Sequence, residues 1–417
     1  MKTFALLAMS YLLVHALGAM AQEPTYKPRQ SRVVPGELII KYRNTGFGRV
    51  MAEDVQQAVT TKYKLETVST APYFGVQRVK VPEERVRSLI ESLKADPDIE
   101  FVARNYIVYP DQITPNDPDW AKLWGMQKIG MPAAWVKTTG NTNVIVAVLD
   151  TGVDYNHPDL AGNLWKTPSG DYGMSFCTDF TDPNNAKTLP PQPGAMDRYG
   201  HGTHVAGTIA ALGNNKVDVA GVAWKVQVMA LKFLCGADGS GTTADAIRAV
   251  EYAVTNGAHI LNNSWGGGPD DIALRTAIQE TDARGILFVA SAGNAGNDQG
   301  VRPSYPAAYR IANVIAVGAT DAQDNLAPFS NWSATLVPIA APGVGILSTV
   351  PGKTVGMKSG TSMAAPHVSG CAALLKALDM NRKAAELKKL LLDKADSVAA
   401  LKGKVERGRL NCANAVQ

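Results

Sequence analysis

Val144-Ile-Val-Ala-Val-Leu149 is an unbroken apolar run, mostly β-branched, and it ends on an acid, Asp150. A strand with one wet face alternates apolar and polar residues; this run does not, so it reads as a strand buried on both faces. Downstream, helical spacing near 203–212, 243–256 and 271–283 alternates with strand-like runs near 226–232, 258–263 and 285–290, and a further run lies near 314–318. Strands alternating with helices predict an α/β fold, an open, mostly parallel, doubly wound sheet. Sites in such sheets form beyond the carboxyl ends of the strands. Asp150, Ser264 and Asn294 all fall just past expected strand ends.

Composition agrees with one large enzyme-like core. The chain has 417 residues, 46% hydrophobic and 19% charged, which excludes a disordered or fibrous protein. Lys and Arg total 41 against 37 Asp and Glu, a net charge of +4, and no block of like charge suggests a nucleic-acid surface. Glycine is abundant at 38 and aromatics few at 7%, a balance suited to many tight turns rather than to a helical bundle. No internal repeat or low-complexity tract is evident.

At the N-terminus, Lys2 precedes a mostly apolar run from Phe4 to Ala19 and the small-residue stretch Ala19-Met20-Ala21. This pattern predicts a secretory signal peptide over 1–21, cut after Ala21. The competing reading, a membrane anchor, is opposed by Ser10, Tyr11 and His15 inside the run. Nothing else approaches the roughly 18 apolar residues of a membrane span, so the mature protein is expected outside the membrane. A polar, Pro-rich tether follows over 22–32.

Residues 33–109 read as a small α+β domain. Glu37-Leu-Ile-Ile-Lys-Tyr-Arg43 and Gly75-Val-Gln-Arg-Val-Lys-Val81 look like strands, with a helix over 51–63 between them. Val86, Leu89, Ile90 and Leu93 recur at helical spacing within 83–95, and a last strand is expected from Ile99 to Val108. That order in about 75 residues predicts a compact ferredoxin-like unit. A turn-rich link containing Pro115, Asn116, Asp117 and Pro118 then leads into the larger domain, assigned to 110–417. The Pro-, Asn- and Asp-rich stretch from Asp171 to Tyr199 reads as a surface insertion, whose acids Asp179, Asp182 and Asp197 suit an ion or a substrate flank.

Taken singly, the chemical residues are ambiguous. An Asp at a strand end is commonly a turn former. His201 and His204, three apart, have a spacing a metal could use, but no H-e-x-x-h pattern accompanies them. Ser362, in Gly360-Thr-Ser-Met-Ala-Ala-Pro-His367, sits where a helix begins among small residues and could be a plain helix cap. Together they say more: acid, then histidine, then serine is one chain order in which the Ser-His-Asp constellation occurs.

Asp150-Thr-Gly-Val-Asp154, His201-Gly-Thr-His-Val-Ala-Gly207 and Gly360-Thr-Ser-Met-Ala-Ala-Pro-His367 resemble the three signatures of the subtilisin-like serine proteases, the subtilases. Ser291-Ala-Gly-Asn294 is similar to that family's oxyanion segment and Ser264-Trp265-Gly266 to its substrate-binding strand. The similarity runs from about Thr114 to the C-terminus, and 33–109 resembles the family's inhibitory propeptide. The resemblance implies a secreted serine endopeptidase made as a precursor. Ser362 is then the nucleophile, His201 the general base, Asp150 the group that orients it, and Asn294 an oxyanion donor. It also implies that Ser264, Trp265 and Gly266 pair with an extended polypeptide substrate, although Trp265 could equally be core packing. His204 and His367 are read as structural.

The same resemblance implies a structural calcium ion. Asp117, Asp159 and Asn215 side chains with the carbonyls of Leu212, Val217 and Val219 match the family's strongest site, and hard cations take such oxygen ligands. Implied partners are polypeptide substrates and the chain's own propeptide as an intramolecular inhibitor, with no nucleic acid, no membrane in the mature form, and a monomeric state. Four cysteines allow three connectivities. Cys177 with Cys235, both on expected loops, and Cys371 with Cys412 is the preferred one, against a buried thiol at Cys371. Asn331-Trp-Ser and Asn262-Asn-Ser match glycosylation sequons. A lipase or esterase is disfavoured because Gly360-Thr-Ser-Met-Ala364 lacks the second glycine of G-x-S-x-G and the histidine precedes the serine. A catalytically inactive binder would be expected to lose one of Asp150, His201, Asn294 or Ser362, and all four are present.

Overall fold

The computed structural model describes residues 32–43, 53–107, 112–179 and 187–417. The expected signal peptide, most of the tether and Asp182 lie outside them. The chain divides into two compact units, the boundary falling between Asp111 and Gln112.

The smaller unit contains β1 (Arg32–Tyr42), α1 (Glu53–Tyr63), β2 (Glu66–Ala71), β3 (Val76–Lys80), α2 (Val86–Lys94) and β4 (Ile99–Ile107). Its sheet has the order β2-β3-β1-β4, with every pair antiparallel. Leu38, Ile40 and Tyr42 alternate along β1 and are fully buried with Val59, Leu89 and Leu93 of the helices. The alternation is what period-two side chains on a one-sided sheet require. β2 had no apolar alternation to announce it: all but its last residue are exposed, and pairing with β3 alone makes it a strand.

The larger unit opens with α3 (Trp124–Lys128), α4 (Met131–Lys137) and β5 (Gly140–Asp150). Four two-residue strands follow: β6 (Met174–Ser175), β7 (Thr178–Asp179), β8 (Lys187–Thr188) and β9 (Gln192–Pro193). Next come α5 (His201–Ala210), β10 (Lys225–Lys232), α6 (Thr243–Thr255), β11 (Ile260–Asn263), α7 (Ile272–Ala283), β12 (Leu287–Ser291) and β13 (Val314–Thr320). The remainder is β14 (Ile339–Pro342), β15 (Ile346–Val350), β16 (Thr354–Lys358), α8 (Thr361–Leu378), α9 (Ala384–Asp393), β17 (Gly408–Arg409) and α10 (Cys412–Ala415).

Its nine-stranded sheet runs β17-β14-β13-β12-β11-β5-β10-β6-β9, parallel throughout except at the β6–β9 edge. In β5, Val144, Val146 and Val148 enter the core shared with α5 and α8, while Ala147 and Leu149 enter the core shared with α6 and α7. The sheet is therefore covered on both faces, as the unbroken apolar run requires. α8 is the central helix of its face, buried from Thr361 to Lys376.

Three features differ from the sequence reading. The 171–199 insertion is not a bare loop: β6 and β9 extend the main sheet, and β7 pairs with β8. α5 begins at His201 itself rather than near 203, because Gly200 takes a left-handed φ of 91° and turns the chain into the helix there. The β15–β16 hairpin, with its Ser, Thr, Gly and Lys content, carried too little apolar alternation to be read as strands. Both disulfides form, Cys177–Cys235 and Cys371–Cys412, each with Cα atoms 5.7 Å apart. No helix among the described residues is long and apolar enough to cross a membrane.

Candidate active site

Asp150 ends the central strand β5, and its carboxylate is fully buried. His201 starts α5, with Nδ1 2.8 Å and 3.0 Å from the two Asp150 oxygens. Its ring is about one-fifth exposed, so the far nitrogen reaches the surface. Burial opposes charging the ring, but the Asp150 charge and hydrogen bond outweigh it and hold the imidazole pKa above its ordinary value.

Ser362 lies one residue inside α8 and is 8% exposed. Its Oγ donates to Ser264 O at 3.0 Å and makes no described hydrogen bond to His201. Catalytic hydrogen bonds are often unformed without substrate. The helix-cap alternative fails: the residue before the helix is Gly360, and Ser362 Oγ caps no backbone N–H.

Asn294 is exposed at the end of the β12 loop. Its Oδ1 accepts from Thr361 N (2.8 Å) and Thr361 Oγ1 (2.9 Å), which fixes the amide and leaves Nδ2 without an acceptor among the described residues. Thr361 Oγ1 also receives Gly293 N at 3.0 Å. Asn331 braces the same loop: Oδ1 accepts from Ala295 N and Asn297 N, and Nδ2 donates to Ala292 O. Gly293 is required here, since its φ is +102° and a Cβ would stand 2.4 Å from Asn331 Nδ2.

His201, Ser264, Trp265, Gly266, Asn294 and Ser362 all line one cleft of about 600 Å³, with Asp150 beneath the histidine. The backbone groups of Trp265 and Gly266 make no hydrogen bond among the described residues, so this stretch has the unpaired edge that an added strand needs. The Trp265 ring packs edge-on against Phe233 at 5.0 Å and is half-buried, serving core and cleft wall alike.

The second histidines are structural by environment. His204 is fully buried with Nε2 on the carbonyls of Ile346 and Gly356, and burial depresses it to about 4. His367 is buried with Nδ1 on Met363 O and is likewise pushed down to about 4. Both sequons are closed to a glycan, because Asn262 and Asn331 are buried.

Asp117 and Asp159 meet near the 212–219 loop without any cationic partner. Asp117 is 4% exposed and Asp159 fully buried. Asp117 accepts from Asn214 N, and Asp159 from Asn215 Nδ2 (2.7 Å) and Val219 N (3.0 Å). Desolvation, with the neighbouring charges of Asp117 and Asp218, pushes the Asp159 carboxyl to about 8. No described hydrogen bond ends on the carbonyls of Leu212, Val217 or Val219. Among the described residues, no three His, Cys, Asp or Glu side chains converge as a metal cluster. The corner offers two carboxylates and the Asn215 amide, whose Nδ2 faces Asp159 and whose Oδ1 accepts from Val217 N.

Sequence reasoning gave no supporting role to Thr361, read Asn331 only as a sequon, and read Asp197 as an acid open to an ion or a substrate flank. Thr361 lay inside a quoted motif, while Asn331 and Asp197 act on backbone N–H groups that no side-chain pattern reveals.

Residues 141–411 match the model of the subtilase family, and residues 20–105 match the fervidolysin N-terminal prodomain. A thermophilic serine proteinase from Bacillus sp. (strain AK1) is 36% identical over 92% of this chain and 88% of its own length. Thermitase from Thermoactinomyces vulgaris is 39% identical over 73% of this chain and 99% of its own. Among solved structures, a protease from Pseudoalteromonas arctica PAMC 21717 superposes with a TM-score of 0.64 at 29% identity, covering 73% of this chain and 98% of that one.

Proposed function

This chain belongs to the subtilase family and is a serine endopeptidase, and we propose that it cuts peptide bonds with Ser362 as nucleophile, His201 as general base and Asp150 as the group that orients and stabilises the imidazole. The observation carrying this reading is the His201 ring clamped on the buried Asp150 at the mouth of the cleft that holds Ser362 and Asn294. On attack, the Ser362 proton passes to the neutral His201 nitrogen, and from there to the leaving amine. The Asn294 amide and the Ser362 backbone N–H take up the developing oxyanion. Ser264, Trp265 and Gly266 align the substrate as an added strand, a mode that reads backbone and tolerates varied sequences.

The prodomain match supports a secreted precursor whose N-terminal unit, 33–109, inhibits the mature peptidase of 110–417 and is removed by self-cleavage near Tyr109–Thr114. The mature enzyme acts as a monomer, without nucleic acid or membrane. A structural calcium ion suits the Asp117–Asp159 corner: two buried carboxylates have no counter-charge among the described residues, and the Leu212, Val217 and Val219 carbonyls accept no described hydrogen bond, while Asn215 Oδ1 would have to give up its bond from Val217 N to join them. When bound, the ion supplies charge compensation and ties the Asp117 turn to the 212–219 loop.

The test is the intact mass of the secreted chain, native against Ser362→Ala, with a peptide assay on each. Loss of roughly the first 110 residues from the native chain alone, with peptide cleavage by it alone, supports the reading. Equal peptide cleavage by the two chains overturns it.

A further inference from the structure

The loop leading into α5 contains a buried carboxylate that the catalytic reading leaves unused. Asp197 is 2% exposed. Its Oδ1 accepts from Thr151 Oγ1 (2.9 Å), Tyr199 N (2.9 Å) and Gly200 N (2.8 Å). Its Oδ2 accepts from Thr203 N (2.9 Å) and Thr203 Oγ1 (2.6 Å). Three of the five contacts come from backbone N–H groups and two from threonine hydroxyls, so the carboxylate oxygens are fully engaged as acceptors. Thr151 directly follows Asp150, and Gly200 and Thr203 flank His201. Thr151 Oγ1 in turn accepts from Gly202 N at 2.9 Å. Lys232 spans the same two segments, its ammonium donating to Thr151 O (3.0 Å) and Met196 O (3.2 Å).

We propose that Asp197 is a positioning residue: it locks the catalytic acid and the catalytic base to each other and sets a second buried negative charge behind the imidazole. This rests on the reading of His201 as the base. The His201 ring has little other anchorage, since among the described residues its only hydrogen bonds are to Asp150. Its place is therefore set by where α5 starts, and that start is held by the Gly200 and Thr203 N–H groups on Asp197. The charged groups facing His201 are Asp150 from β5, Asp197 from the preceding loop and Lys358 from β16. The two acids favour the protonated ring and the lysine opposes it. An asparagine at 197 would turn an NH2 group against donors and remove one of the two anions.

The experiment compares Asp197→Asn with the native enzyme for peptide hydrolysis across pH, per folded molecule by circular dichroism, with Ser362→Ala alongside. In the uncleaved Ser362→Ala chain, with and without Asp197→Asn, the His201 Nδ1 proton is titrated by NMR. The expected result is a kcat about 10 to 100 times lower, on the scale of a misplaced catalytic group. KM should stay near native, and the acid limb and the His201 titration should both move to lower pH. A purely structural aspartate would lower the folded yield but leave the acid limb and the titration where they were, and that overturns the proposal. If Asp197→Asn does not fold, Thr151→Val, which removes one of its donors, must lower kcat in the same way; an unchanged kcat overturns the proposal. Peptide cleavage by Ser362→Ala would sink the triad reading instead. An inert Ser362→Ala beside a native-like Asp197→Asn sinks this proposal alone.

Discussion

Ser264 and Ser362 bind each other twice: Ser362 Oγ donates to Ser264 O at 3.0 Å, and Ser264 Oγ donates to Ser362 O at 2.9 Å. The second bond has a cause in the sequence. In a helix the N–H of residue 366 would bond to Ser362 O, but residue 366 is proline and has none. The carbonyl is thus released in a buried place, and the Ser264 hydroxyl fills the gap.

Ser264→Ala should leave Ser362 O buried and unsatisfied, destabilising the fold by about 1–3 kcal/mol. Calorimetry of Ser264→Ala, Pro366→Ala and the double variant checks the cause. In the Pro366→Ala background the helix supplies its own donor, so the serine substitution should cost less. Equal costs in both backgrounds would show that Pro366 is irrelevant to the pair.

On the proposed mechanism, Asn294→Ala removes the side-chain oxyanion donor. Loss of such a donor is worth about 10²–10³ in kcat, a magnitude known from a subtilisin asparagine. Thr361→Val should give a smaller kcat loss in the same direction, because it deletes the hydroxyl on Asn294 Oδ1 but keeps the backbone donor. KM should change little in both. A loss confined to KM would assign Asn294 to substrate binding rather than to the oxyanion.

The pH profile follows from His201. The base works only when neutral, and although burial opposes its charge, Asp150 holds its pKa above the ordinary value of about 6.5. The rate constant kcat/KM should therefore be full at alkaline pH. It should fall as pH drops through a point above about 6.5, about tenfold per unit below it. An acid limb centred well below pH 6 would contradict this environment for the ring.

Calcium should raise the Tm, and chelation should lower it. An ion that binds only the folded chain adds about 2.7 kcal/mol when present at one hundred times its Kd. Asp159→Asn should remove most of the calcium-dependent increment while leaving the triad in place. A Tm identical in calcium and in chelator would show that the Asp117–Asp159 corner holds no such ion.

The fold was legible because its central strand has no polar alternation: Val144 to Leu149 could only be buried on both faces, and the alternation of runs around it did the rest. The residues of the cleft were legible because their side chains carry the chemistry. What supports them was not. Asp197 was read as a loop acid open to an ion or a substrate, yet backbone N–H groups and hydroxyls take up its carboxylate completely. Ser362 was readable as a nucleophile, but its turn toward Ser264 depends on a contact between residues 98 positions apart. Backbone donors look alike at every position, so only the folded arrangement shows which carboxylate they have captured.

The position of α8 also decides when the chain can first act. Asp150 and His201 are synthesised first, and the proposed nucleophile Ser362 follows later, on a helix that fills the middle of one sheet face. Until it arrives, the face that α5 and α8 share lacks its central helix and the cleft lacks Ser362. On the proposed reading, a chain that stops before Ser362 cuts no peptide bond. Chain order thus places the proposed activity after the folding of the sheet face that α8 completes.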